Sequence, residues 1–307
     1  MNIAARRIAL SETIQNFSDR RDYDILFCMA NYKFPKCTSR MLRSIGKLDA
    51  KCLAIVTGCR KRDLEAIAKH EYPCDVVLMK APRNCMYLCR AWGFIWAVHE
   101  GIRADFMFSA DDDLEFIDES AHILPALNEV KEDPGFSVAG FSGSGMKIAG
   151  KQAGICQLNP TFMDGHLLVT QWDDNLNYGL PDSLPREAMS YFTELEYQHR
   201  MRILTGRPTV RIGGDVSYIH HFRRDPARTK ARNASCSRGM YAGCQLWKVK
   251  YGIEDLLIAS DMHECDRIFE LVKDKKEEMK QHILFGGLWN SWLVIYYKFE
   301  DQFKRIM

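Results

Sequence analysis

None of the eleven cysteines in this chain forms a Cys-x-x-Cys pair, and their number is odd. This spacing offers no zinc ribbon and no disulfide framework, and it predicts reduced thiols in a cytoplasmic protein. Charge of one sign is missing as well: 42 Lys plus Arg face 40 Asp plus Glu, a formal charge of +2. A surface built as a whole for polyanions is thereby excluded, while a local basic patch is not. The most apolar stretch, LFGGLWNSWLVIYYKF at 284–299, is broken by Gly286, Gly287 and Asn290 and is too short to span a bilayer. It suits a segment that packs on the core, on a dimer partner or on a membrane surface. The first residues carry basic side chains but no apolar signal region or cleavage site, so nothing marks the chain for export. There is no internal repeat. With 307 residues and 47% hydrophobic content, the chain buries a large core in one domain with an appendage, or in two domains.

What is present is an alternation of two periods. Apolar runs at 24–30, 52–57, 75–79 and 105–109 read as strands, and the segments 35–45, 61–70 and 84–100 read as helices, the first with a proline at its start. The order β-α-β-α-β-α-β predicts a mostly parallel sheet covered on both faces, with ligands at the carboxyl ends of its strands. From about residue 134 the pattern changes. Six glycines fall in 134–154, 165–170 followed by Asp173 and Asp174 reads as strand and loop, 185–205 as a helix, and 209–222 as a strand broken at Gly213-Gly214. The segment 223–238 holds six basic residues and one acid with almost no apolar content, a loop composition. Residues 261–282 read as a charged amphipathic helix.

Residues 105–116, Asp-Phe-Met-Phe-Ser-Ala-Asp-Asp-Asp-Leu-Glu-Phe, say most about chemistry. An apolar strand ends abruptly in Asp111, Asp112 and Asp113, and adjacent carboxylates repel unless a positive charge lies among them. The two outer ones, separated by one residue, point to the same side. A divalent cation is the simplest counter-charge, and hard oxygen ligands favour Mg²⁺ or Mn²⁺. The competing reading is an acidic turn that caps the next helix through Asp113 or Asp118.

The pieces around this turn resemble a known family. Arg83-Asn84 and Arg90-Ala91-Trp92-Gly93 precede the fourth strand; Thr193-Glu194-Leu195-Glu196-Tyr197 leads to Arg200; Tyr218-Ile219-His220-His221 closes the set. In their order they look like the GT-A-fold glycosyltransferases, closest to the large family-2 group, over roughly 23–222. The resemblance implies an α/β domain with a nucleotide-sugar-binding half at 23–133 and an acceptor half at 134–222. It is preceded by a segment 1–22 and followed by a basic loop 223–250 and a helical extension 251–307. It implies Asp113 as the best metal ligand, Asp111 as a second carboxylate on the metal or ribose, and a histidine from the His220-His221 pair as a further ligand. The two imidazoles alternate across a strand, so one of them faces the site. It places Asn31, Thr57 and Arg90 where base, ribose and diphosphate are held, with Asp111 and Asp112 against the donor.

The reaction implied is transfer of a hexosyl or pentosyl group from a nucleotide sugar, a UDP-sugar foremost, to an acceptor hydroxyl with inversion. Breaking the sugar–diphosphate bond leaves negative charge on the diphosphate, which Mn²⁺ or Mg²⁺ stabilises as a Lewis acid. The acceptor hydroxyl needs a carboxylate to take its proton. Glu194 is the better base by motif position and Glu196 the better partner of Arg200, four residues on; glutamate stands where the family more often has aspartate. Trp172-Asp173-Asp174 reads as an acceptor contact or as an acidic loop. Arg223, Arg224, Arg228, Lys230 and Arg232, with Arg238, Tyr241 and Trp247 nearby, suit a lid over the donor or a polyanionic acceptor such as hydroxymethylated DNA, beside a saccharide or glycolipid intermediate. Two other classes stay open: a nucleotidyltransferase, though Asn31-Tyr32-Lys33-Phe34-Pro35 replaces the Gly-rich loop it needs, and a non-catalytic module that chelates Ca²⁺.

Overall fold

A computed structural model describes residues 13–16, 21–31, 33–81, 86–141, 154–158, 166–180, 191–213, 218–221 and 269–280. Outside these lie Arg83, Asn84, Cys85, Gly143, Gly145, the basic run from Arg223 to Arg238, Tyr241, Trp247 and the apolar segment 284–299.

Four strands form the parallel centre of the sheet: β2 (Asp22–Asn31), β3 (Cys52–Gly58), β4 (Asp75–Lys80) and β5 (Arg103–Ala110), arranged β4-β3-β2-β5. Every residue of β3 is buried, which is why it reads as an unbroken apolar run rather than an alternation. The expected α/β architecture is present, with helices on both faces. On one face α1 (Pro35–Ser44), α2 (Lys61–Ala68) and α4 (Ile123–Glu132) cover Ile25, Phe27, Val56 and Phe108. Phe27 and Phe108 meet edge to face at 4.9 Å. On the other face α3 (Met86–His99) covers Leu26, Cys28, Leu53 and Ile55. Gly93 permits that contact, since a Cβ there would meet Ile55 Cγ2 at 3.2 Å and Cys28 Sγ at 3.3 Å. Full burial of each such aliphatic or aromatic side chain contributes about 1.5–3 kcal/mol, so this doubly covered sheet is the main source of stability.

The sheet continues with mixed pairing. β9 (Leu167–Gln171) runs antiparallel to both β5 and β7 (Val138–Phe141), β10 (Thr209–Gly213) is parallel to β7, and β8 (Gly154–Leu158) closes that edge antiparallel to β10. At the opposite edge β1 (Thr13–Asn16) pairs antiparallel with β4, adding a strand from the N-terminal segment. The stretch 209–222 is two strands in two sheets, because beyond Gly213 the chain leaves the main sheet. β11 (Tyr218–His220) instead forms a two-stranded antiparallel ribbon with β6 (Leu114–Phe116), immediately after the aspartates.

Two further helices complete this second half, α5 (Trp172–Tyr178) and α6 (Tyr191–Thr205). Trp172-Asp173-Asp174 thus opens a helix: Trp172 is buried against Phe94 with ring centroids 4.6 Å apart, and Asp174 pairs with Arg207. Burial raises the Asp174 carboxyl above its usual range, with Arg207 opposing the shift. Residues 269–272 and 276–280 are helical with a turn between them, where 261–282 reads as one helix. Lys273 to Glu277 is an unbroken charged run with no apolar side chain to hold that turn against the protein. Phe269 rests under the Arg202 guanidinium, 3.7 Å from ring centroid to Cζ, so this segment docks on α6.

The described cysteines Cys28, Cys37, Cys52, Cys59 and Cys74 are all free thiols. Burial pushes Cys74 up to about 12 and raises Cys28 and Cys52 as well, so these three behave as small apolar residues. Among the described residues no helix is long and apolar enough to cross a membrane.

Candidate functional site

The parallel strands deliver Asn31, Thr57 and the aspartate turn to one edge of the sheet. β2 ends at Asn31, Thr57 is the penultimate residue of β3, and Asp111 follows the last residue of β5. A cleft of about 340 Å³ lies at the other edge, where β2 and β5 begin; Asp22, Lys51, Arg103 and Asp173 line it. The chemistry-bearing groups are therefore not in that cleft but at the carboxyl ends, where open α/β sheets bind ligands.

Each aspartate of the turn has a different neighbourhood. Asp111 Oδ1 accepts from the Arg90 guanidinium, which is 1% exposed and also donates to Ser109 Oγ at 3.0 Å. Arg90 projects from α3, where the close contact at Gly93 holds the helix on the sheet. Asp112, pointing the other way, accepts from Thr38 Oγ1 at 3.1 Å and from Asn31 Nδ2 at 3.2 Å. It ties the turn to the end of β2 and to α1. Asp113 Oδ1 lies 3.0 Å from His220 Nε2, and the same nitrogen is 4.0 Å from Asp111 Oδ2. The outer two carboxylates thus approach one imidazole while the middle one is turned inward, as strand alternation requires.

The β6–β11 ribbon brings His220 there. Leu114 pairs with His220, and the His221 N–H donates to the Asp113 carbonyl at 3.0 Å. His221 points the other way, to Glu115 Oε2 at 2.6 Å, with Arg40 on the same oxygen at 3.6 Å. The side chain of His220 is 6% exposed and that of His221 is 32% exposed. Removal of the two rings should therefore have unequal consequences. His220→Ala is expected to weaken cation binding by more than about tenfold, whereas His221→Ala is expected to leave it near wild type, in a calorimetric Mn²⁺ titration. Equal losses in the two variants would contradict this geometry.

A third imidazole completes the set, and the sequence does not point to it. The antiparallel ladder of β5 and β9 continues past Ala110 and Leu167, so the Asp111 N–H donates to the His166 carbonyl at 2.8 Å. The His166 ring lies 3.8 Å from that of His220. One ligand atom from each of Asp111, His166 and His220 falls within 4.8 Å of the others. Metal–ligand bonds of roughly 2.0–2.3 Å require these atoms to draw somewhat closer together, which side-chain rotation achieves. A carboxylate with two imidazoles is a donor set that fits a divalent cation.

Glu194 and Glu196 are both buried in the first part of α6. Glu196 Oε1 accepts from Arg200 Nε at 2.9 Å, and the Arg200 guanidinium also donates to the carbonyls of Tyr178 and Leu180. This clamp fastens α6 to the end of α5; Tyr197, whose hydroxyl bonds to Asn175, strengthens the same junction.

No protein-family model and no curated protein matches the chain. Among solved structures, the mannosyltransferase PcManGT from Pyrobaculum calidifontis in complex with GDP-Man and Mn²⁺ is similar in fold, with a TM-score of 0.51 and 11% identity over 96% of this chain and 79% of that one. A mycobacterial protein aligns over 74% of each chain at 14% identity with a TM-score of 0.44, too loose a likeness to carry an argument. With its parallel first half, its mixed second half and its aspartate turn at the carboxyl ends of the strands, the chain has the GT-A-type fold.

Proposed function

We propose that this protein is a metal-dependent glycosyltransferase that moves a sugar from a nucleotide sugar to an acceptor hydroxyl. The observation that carries this reading is the convergence of Asp111, His166 and His220 at the carboxyl ends of the parallel strands. A divalent cation held by these residues would supply Lewis-acid stabilisation of the departing diphosphate. The structural neighbour that binds GDP-Man and Mn²⁺ supports the same chemistry. A calcium-chelating module is disfavoured, because Ca²⁺ takes oxygen ligands and two members of this set are imidazoles.

Asn31 bears on the donor. Asp112 is a carboxylate, so the Asn31 amide turns its NH₂ towards it and towards Thr38. That orientation leaves Oδ1 as a buried acceptor without a partner at the end of β2. A buried acceptor asks for an N–H donor. Uracil and guanine present a ring N–H at the centre of their pairing edge, where adenine and cytosine have a bare nitrogen and donate only from an exocyclic amino group. UDP-sugars, and GDP-sugars after them, are therefore the proposed donors. Arg90, buried against Asp111, acts as the brace of that carboxylate rather than as a diphosphate clamp. Glu194 is the proposed general base, and Glu196 serves through Arg200.

A thermal-shift screen of UDP-, GDP-, ADP- and CDP-sugars with Mn²⁺ tests the reading. A donor at a hundred times its Kd stabilises the fold by about 2.7 kcal/mol. The expected result is stabilisation by a UDP- or GDP-sugar that disappears with EDTA. Stabilisation by none of the four at millimolar concentration would overturn it.

A further inference from the structure

We infer that the cation centre is a nitrogen-rich site selective for a first-row transition-metal ion over Mg²⁺, and that His166, supplied by the antiparallel strand β9, is the ligand that makes it so. This rests on reading the aspartate turn as the metal centre of the proposed transferase, and it goes further by fixing the class of metal and the part His166 plays in that choice.

The aspartate triplet alone is an all-oxygen set that suits Mg²⁺, an ion that demands oxygen donors in near-octahedral geometry and gives up its waters reluctantly. The folded chain alters that set. Asp112 is turned inward to Asn31 and Thr38, and Asp113 is hydrogen-bonded to His220, so only Asp111 joins the cluster directly as a carboxylate. Its two companions are imidazoles, which suit Zn²⁺, Co²⁺, Fe²⁺ and, with a carboxylate, Mn²⁺. Three protein donors leave further coordination positions for phosphate oxygens and water.

His166 is not held there by chance of a long loop. The main-chain bond from Asp111 N to His166 O fixes the two residues side by side, and the ladder from Phe106 to Ala110 sets the register that leads to it. A one-residue slip of β9 would turn the side chain to the other face of the sheet. The other two ligands are each backed by a second group: Arg90 on Asp111, and Asp113 on His220 Nε2, which leaves His220 Nδ1 as the nitrogen for the cation. A carboxylate behind a ligating imidazole fixes its tautomer and ring plane, the usual support of a histidine metal ligand.

The experiment uses the full chain without nucleotide: Co²⁺ is titrated and followed by its visible absorption, and Mg²⁺, Mn²⁺ and Zn²⁺ are then added as competitors. The affinity order expected is Zn²⁺ and Co²⁺ above Mn²⁺, with Mg²⁺ weaker than Mn²⁺ by at least about tenfold. His166→Ala is expected to lower Co²⁺ affinity by more than about tenfold while changing Mg²⁺ affinity by less than about twofold, and Asp113→Asn to weaken Co²⁺ by about 10- to 100-fold. His166→Gln, which offers oxygen in place of nitrogen, should move the preference towards Mg²⁺. Displacement of Co²⁺ by an equal concentration of Mg²⁺ would overturn the inference, as would wild-type Co²⁺ spectra in both His166 variants, which would leave His166 as a ring that only stacks on His220. Should neither variant fold, the wild-type ratio of Co²⁺ to Mg²⁺ decides alone. No donor enters this titration, so failure of the transferase reading shows separately, as intact Co²⁺ binding without nucleotide-sugar stabilisation.

Discussion

Asp111→Asn is expected to abolish cation binding and, in EDTA, to lower the unfolding free energy by about 3 kcal/mol. Both effects follow from one carboxylate. Arg90 is 1% exposed and pairs with Asp111, itself 21% exposed. The amide of asparagine keeps an acceptor oxygen for the guanidinium but removes the charge that balances it, and breaking a buried pair from one side typically costs about 3–5 kcal/mol. The partial exposure of Asp111 argues for the low end. The same neutral amide also leaves the two imidazoles without a charged companion ligand. Asp112→Asn is the matched control. Its carboxylate is more deeply buried but faces Asn31 and Thr38, so this variant should lose stability and keep its cation. Chemical denaturation and a Co²⁺ titration of both proteins decide the matter. Cation binding that survives in Asp111→Asn, or is lost only in Asp112→Asn, would remove Asp111 from the centre.

The contrast between these two neighbours shows where sequence reading succeeds. An apolar run that stops at three carboxylates is visible in the chain, and a period of two already puts the middle side chain on the opposite face from its neighbours. The parallel half is legible for a related reason: strands covered on both faces must be apolar throughout, as β3 is, and the helices between them carry their own period. His166 is illegible because nothing local distinguishes it. Its place depends on β9 returning antiparallel beside β5, a long-range pairing that residues 165–170 do not encode on their own. The broken strand at 209–222 fails similarly. Gly213-Gly214 announces an interruption, but that Tyr218–His220 joins β6 is decided by the partner strand. Arg90 shows a third kind of limit: its burial and its pairing with Asp111 come from packing that a single arginine before the fourth strand does not announce.

The two glutamates of α6 should part company under the same substitution. Glu194→Gln is expected to lower kcat by about 10²–10⁴-fold, the range of a lost general base, with donor affinity and melting temperature close to wild type. Glu196→Gln is expected to act through the fold. Its carboxylate and the Arg200 guanidinium are each 4% exposed, and neutralising one leaves the other as a buried charge without its carboxylate, beside the Tyr178 and Leu180 carbonyls. A loss of about 3 kcal/mol follows, without the solvent screening that weakens surface pairs. Because Arg200 ties α6 to α5, kcat should fall in proportion to the loosened junction, and cooling should restore part of it. Residues two apart on a helix face different sides, so one substitution cannot imitate the other. Turnover with the donor found by thermal shift, measured beside urea denaturation for both variants, separates the roles. A full kcat loss in Glu196→Gln with unchanged stability would make Glu196 the base and Glu194 its neighbour.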